Sequence, residues 1–153
     1  MNWIVTRGQV LGVVILGLML TPSASAVAQD NQEKQDKAES KKFAMWPIEE
    51  QLIEYTNKER ERHGLPPIAM DESLVKSARQ HAWWMVRANT LQHTSAPVAE
   101  NIAMGQRTAS EVVRDWMNSP GHRANMLGNY TRIGAAAYQT KGETCYWCLQ
   151  FLR

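Results

Sequence analysis

Apolar residues return every three to four positions near residue 50, where Ile48, Leu52, Ile53 and Tyr55 share one stripe. Pro47 suits a first helical turn, Glu49 and Glu50 complement the N-terminal dipole, and Gly64 suits the stop. The spacing therefore predicts a helix over 47–64. "LPPIAM", residues 65–70, cannot continue it and reads as a loop. A second stripe follows in Leu74, Ala78, Ala82 and Met85, flanked by Val75, His81 and Val86, with Asp71 as its cap. Trp83 and Trp84 are adjacent and project about 100° apart on such a helix, so at most one can be fully inside.

The helical period then stops. Residues 91–106, "LQHTSAPVAENIAMGQ", contain Pro97 and read as a loop with a short strand over 101–104. Thr108 and Glu111 form a capping box, and Val112, Val113, Trp116 and Met117 supply the stripe of a third helix over 108–118. Ser119-Pro120-Gly121 ends it, and "HRANML" reads as a short helical turn closed by Gly128. "TRIGAAAY" and "CYWCLQFL" read as two strands joined by "QTKGET", an antiparallel hairpin. Three helices and a small antiparallel sheet predict an α+β fold, built as an α-β-α sandwich.

The first residues carry a different pattern. "GQVLGVVILGLML" is an uncharged apolar run of 13 residues after Arg7, followed by small residues at cleavage spacing, Ala24-Ser25-Ala26 or Ala26-Val27-Ala28. This predicts a secretory signal peptide over 1–26; a membrane span needs about 20 apolar residues. Residues 27–45 are polar and too poor in apolar side chains to offset ordering entropy, so they read as a disordered spacer before a domain over 46–153. Of the 17 Lys and Arg only Arg7 precedes Ala26, while all 15 acids follow it, leaving the exported chain at 16 − 15, or +1. That balance gives no electrostatic case for nucleic acid. No membrane span is expected once the signal is removed. Cys145 and Cys148, three apart on one strand, would face opposite sides with Cα atoms about 10 Å apart, beyond the disulfide limit of about 7 Å. Cys148 is expected to be buried as a small apolar residue, and neither thiol has the helix N-terminus that redox chemistry favours.

"YTNKERERHGLPPI", "SARQHA", "LQHTS", "AENIAMG", "WMNSPGHRANML", "YTRIGAAAY" and "YWCLQF" occur in one order. In that order they resemble the cysteine-rich secretory, antigen 5 and pathogenesis-related superfamily, the SCP-like or CAP domain, in its compact bacterial form. The resemblance spans residues 48–151. It implies an α-β-α sandwich around a three-stranded antiparallel sheet, and an open cleft lined by two His and two Glu. Carried over by motif, the cleft residues are His93, Glu100 and His122. The family's second Glu, in W-x-x-E after Trp116, falls on Ser119, so three of the four groups remain. Asn101, Arg123 and Asn125 fall beside the cleft, and Asn57 and Arg60 match an N-x-x-R that is structural in the family. Glu111 belongs to the helix cap.

Two imidazoles and a carboxylate are a known ligand set for a divalent cation, zinc first, with water in the fourth place. His81 reads as a hydrogen-bonded packing residue and His63 as a cation near a helix C-terminus. Two functions follow. The preferred one is a secreted, non-catalytic binding module whose cleft holds a cation and whose surface takes a lipid, an envelope component or a protein. The alternative is a metal-dependent hydrolase of peptide or cell-envelope bonds, with Glu100 as the base for a metal-bound water. Ser119 counts against the latter by removing the second carboxylate. No G-x-S-x-G or H-E-x-x-H motif supplies another site.

Overall fold

The computed structural model describes residues 43–153. The signal peptide and the spacer up to residue 42 lie outside the described residues. The elements in chain order are α1 (Pro47–Arg62), β1 (Ala69–Met70), α2 (Glu72–Ala88), β2 (Ala99–Met104), α3 (Ala109–Met117), α4 (Pro120–Met126), β3 (Arg132–Gln139) and β4 (Cys145–Leu152). The fold is α+β. The sheet has the order β1-β3-β4-β2. β4 pairs antiparallel with both β3 and β2, whereas β1 runs parallel to β3.

The sheet therefore departs from the expected three antiparallel strands: it has four and is mixed. The fourth comes from "LPPIAM". Pro66 and Pro67 bar a helix and have no N–H to donate, but the residues after them do. Ala69 N donates to Thr131 O at 3.2 Å and Asp71 N to Ile133 O at 2.9 Å, so a two-residue strand forms against β3. Ser119-Pro120-Gly121 follows directly on the end of α3, as expected, and does one thing more. It opens a helix: Pro120 occupies the first turn, where its missing N–H costs nothing, and Arg123 N donates to Ser119 O at 2.8 Å.

Alternation along β4 sorts the core into two layers. Trp147, Leu149 and Phe151 pack with Leu52 of α1, Val112, Val113 and Trp116 of α3, and Met126 of α4. Tyr146 and Cys148 face the other way, with Ala78, Ala82 and Met85 of α2. The sheet thus lies between α2 on one side and α1, α3 and α4 on the other. The approach of α2 depends on Gly134 in β3. A Cβ there would lie 2.2 Å from the Leu74 carbonyl carbon and 2.4 Å from Val75 N. Both neighbours are backbone atoms that cannot turn aside.

Two polar ties hold the helices in place. Glu49, fully buried, accepts from Arg79 Nε and Nη2 at 2.6 Å each and from Trp46 N at 2.8 Å. The Arg79 guanidinium lies over the Trp46 ring at 4.3 Å and the Phe43 ring at 4.9 Å, so residues 43–46 are ordered against α2. Arg60, 2% exposed, donates to Pro66 O, Met126 O and Gly128 O, while Asn57 exchanges two hydrogen bonds with the Ile68 backbone. Those bonds gather the turn after α1 and the end of α4. Trp83 and Trp84 are both exposed, at 48% and 39%.

Replacing Gly134 by Ala is expected to cost about 1–3 kcal/mol through overpacking against α2. Gly142, where a Cβ meets only the Thr140 hydroxyl at 3.8 Å, should tolerate Ala to within about 0.5 kcal/mol. Urea denaturation of the two variants checks both values.

Candidate functional site

Residues on one strand alternate faces, and β2 uses this to divide its labour. Glu100 points to the α2 side. Its cross-strand partner is Gln150, whose Nε2 donates to Glu100 Oε2 at 3.0 Å. Cys148, two residues before Gln150 on the same face, places its thiol 3.4 Å from the same oxygen. His93 Nδ1 and Thr94 N both meet Oε1 at 2.9 Å. His81 Nε2 lies 3.7 Å from Oε2 and 2.8 Å from Gln92 O. A carboxylate side chain only 3% exposed is thus ringed by donors from β4, α2 and the loop before β2.

Burial alone would push the Glu100 carboxyl upward. The hydrogen bonds from Gln150, Thr94 and His93 outweigh it, and the group sits below the ordinary carboxylate value. The Gln150 amide is held in one orientation, because turning it would set its oxygen against the carboxylate. Its own Oε1 is buried without a partner among the described residues. The same carboxylate, after burial itself, pushes the Cys148 thiol well up, and burial raises Cys145 to about 11. Both cysteines are free, and neither is a thiolate at neutral pH.

Asn101 turns the other way and is fully buried. Its Nδ2 donates to His122 O at 3.0 Å, and its Oδ1 accepts from Asn125 Nδ2 at 2.9 Å. Asn125 also donates to Glu100 O at 3.1 Å. These bonds fasten α4 to β2 and fix the backbone that carries His122. The half-buried His122 ring lies beside Trp116, with centroids 6.3 Å apart. Burial and then the nearby His93 hold its pKa below the ordinary imidazole value. Ser119 caps α4 through its carbonyl, with no side-chain cap bond. Arg123 turns toward α1, where its Nη2 meets His63 Nε2 at 3.1 Å. Glu111 accepts from Arg107 N at 3.0 Å at the start of α3.

The structure thus brings His93 and Glu100 into direct contact, sets His122 near enough to feel the His93 charge, and joins Asn101 to Asn125. Among the described residues, no three His, Cys, Asp or Glu side chains gather so that they could hold a metal ion. Gln150 was missed in the sequence, and His81, read there as a hydrogen-bonded packing residue, also reaches toward Glu100. Gln150 carried a signal, being a polar residue at a core position of an otherwise apolar strand. Trp84 stacks on His81, with centroids 5.6 Å apart and planes 12° apart. Beside that stack an open cavity of about 330 Å³ is lined by His81, Trp84, Gln92, His93, Thr94 and Ser95.

A sheet between helices is also the fold of a solved SCP-domain protein. Residues 53–151 match the cysteine-rich secretory protein family, CAP, and the chain belongs to that family. The uncharacterized protein YkwD of Bacillus subtilis strain 168 is 35% identical over 148 residues, covering 85% of this chain and 56% of that protein. The chain thus spans little more than half of that relative's length. Among solved structures, an extracellular SCP-domain protein of Bacillus anthracis is similar, with a TM-score of 0.62 and 24% identity over 73% of this chain and 45% of that one. An outer surface protein of Borrelia burgdorferi gives 0.60 and 21% identity, over 65% and 87%. These two establish the fold alone.

Two measurements follow from the titrations. As pH falls, the unfolded chain takes up protons before the folded one at both His122 and Glu100. Stability should therefore be complete above about 6.5, begin to fall below it through His122, and fall again below about 4.5 through Glu100. Glu100→Gln should remove the lower step from a plot of melting temperature against pH. In a thiol-reagent assay at pH 8, the native chain should react slowly at Cys145 and not at Cys148, and both should react at once in urea.

Proposed function

We propose that this domain is a secreted or surface-exposed binding module without turnover, whose cleft holds a divalent cation and presents a surface to a lipid or macromolecular ligand. Among the described residues no helix is long and apolar enough to cross a membrane, and two structurally similar proteins are described as extracellular and outer surface. The observation that carries the reading is the state of Glu100. Its oxygens are occupied by protein donors and its pKa is lowered, so it is a poor base for a metal-bound water and a good anchor for an imidazole. Metal-dependent hydrolysis with Glu100 as base loses its key group on this geometry.

By donor chemistry, the candidate residues would suit a cation in a narrower way than a His-Glu-His ligand set. Glu100 engages His93 Nδ1, which leaves His93 Nε2 as the outward donor on a side chain 61% exposed. A carboxylate behind a ligating imidazole fixes its tautomer and raises its basicity. His122 is kept neutral near pH 7 by its lowered pKa and supplies the second nitrogen. Two imidazoles favour zinc over magnesium or calcium. With two protein ligands instead of three, affinity should fall below that of a closed zinc site.

Calorimetric titration of the full chain with zinc should give one weak site at pH 7.5. His93→Ala and His122→Ala should each abolish it, and Glu100→Gln should weaken it by about 10- to 100-fold. An isotherm unaffected by both histidine substitutions would overturn the cation assignment. Turnover of peptide or envelope substrates, lost in Glu100→Gln, would overturn the non-catalytic reading.

A further inference from the structure

The cavity beside the His81–Trp84 stack has a composition that narrows the ligand class. One wall is an indole, and the rest is imidazole, amide and hydroxyl from His93, Gln92, Thr94 and Ser95. Trp84 is 39% exposed, and its ring stacks on His81, which is itself bonded to Gln92 O at 2.8 Å. The loop wall is hydrogen-bonded too: Thr94 N is bonded to Glu100 and Ala96 N to the Thr94 hydroxyl. An aromatic ring beside several hydrogen-bonding side chains is thus in place before any ligand arrives.

An acyl chain or sterol needs a continuous apolar channel, and only one wall here is apolar. A charged ligand needs a counter-ion, and the lining has no Lys, Arg, Asp or Glu. A pyranose ring matches both features: its C–H face covers the indole and its hydroxyls meet the polar wall. We infer that this cavity is a saccharide subsite, in which Trp84 stacks one sugar ring of a neutral glycan and Gln92, His93 and Ser95 hydrogen-bond its rim. The inference rests on the binding-module reading and names its ligand class. The site is open and takes one ring, so affinity is modest and a polymer gains by offering many rings in succession.

The test is to titrate the full chain with β-1,4-linked tetrasaccharides of N-acetylglucosamine and of glucose, following the indole N–H resonances by nuclear magnetic resonance. At least one should shift the Trp84 signal saturably. Trp84→Ala should lower that affinity by about tenfold or more, which is the loss expected from one stacked ring. Trp84→Phe should recover most of it, and Trp83→Ala, on the neighbouring exposed indole, should leave it unchanged. Trp84→Ala should also leave the zinc isotherm intact, and His122→Ala the saccharide binding, so this subsite and the cation site can fail separately. Equal losses in Trp83→Ala and Trp84→Ala, no shift of Trp84 with either sugar, or Trp84 shifts only with phosphatidylglycerol vesicles would each overturn the assignment, the last in favour of lipid.

Discussion

An ionised carboxylate inside a protein must be surrounded by donors or it will not stay ionised. Glu100 meets that condition with groups from three separate parts of the chain, and much of the local architecture is what it takes to deliver them. The register of β2 on β4 sets Gln150 opposite it. The course of residues 91–98 brings His93 Nδ1 and Thr94 N to one oxygen, and α2 lies close enough for His81 to reach the other side. That closeness in turn requires the bare backbone of Gly134 and the small Ala78 and Ala82. A packing constraint in the core thereby sets the electrostatics of a cleft.

The opposite face of β2 is used as tightly. Because side chains alternate, the residue after Glu100 must point toward α4, and Asn101 fits there. Its amide both donates to His122 O and accepts from Asn125, which positions a seven-residue helix that has little packing area of its own. Two adjacent residues therefore place two imidazoles: Glu100 through the His93 ring, and Asn101 through the His122 backbone. Either connection lost would leave a buried polar group unpaired, which costs about 1–3 kcal/mol.

Much of this is legible from the sequence where one period dominates. The stripes beginning at Leu52 and Leu74, the box of Thr108 and Glu111, and the alternation of β3 and β4 yield the helices and the hairpin directly. β1 was not legible, because two residues after a Pro-Pro pair carry no period; only the neighbouring carbonyls of Thr131 and Ile133 make them a strand. Pro120 was read as ending α3, which does stop just before it, but it also opens α4, because proline suits a first turn. In the cleft, the motif order gives His93, Glu100 and His122, but not their division of roles. That Glu100 turns inward to His93, Cys148 and Gln150 depends on register. His81 sits between the apolar and polar faces of α2, where a packed histidine and a cleft histidine look alike.

Ser119 completes the electrostatic picture. A carboxylate here would add a negative charge at the start of α4. Serine adds none, and its residue instead caps α4 through the backbone, in a first turn that contains no acid. Among the candidate residues Glu100 is the carboxylate, and it is withdrawn from solvent behind His93. The cavity beside it is lined by imidazole, amide, hydroxyl and indole, without Lys, Arg, Asp or Glu, so shape and hydrogen-bond direction set its selectivity. Charge steering plays little part on such a surface, so a ligand suited to it is itself neutral and polar, held by many weak contacts and gaining affinity by repetition.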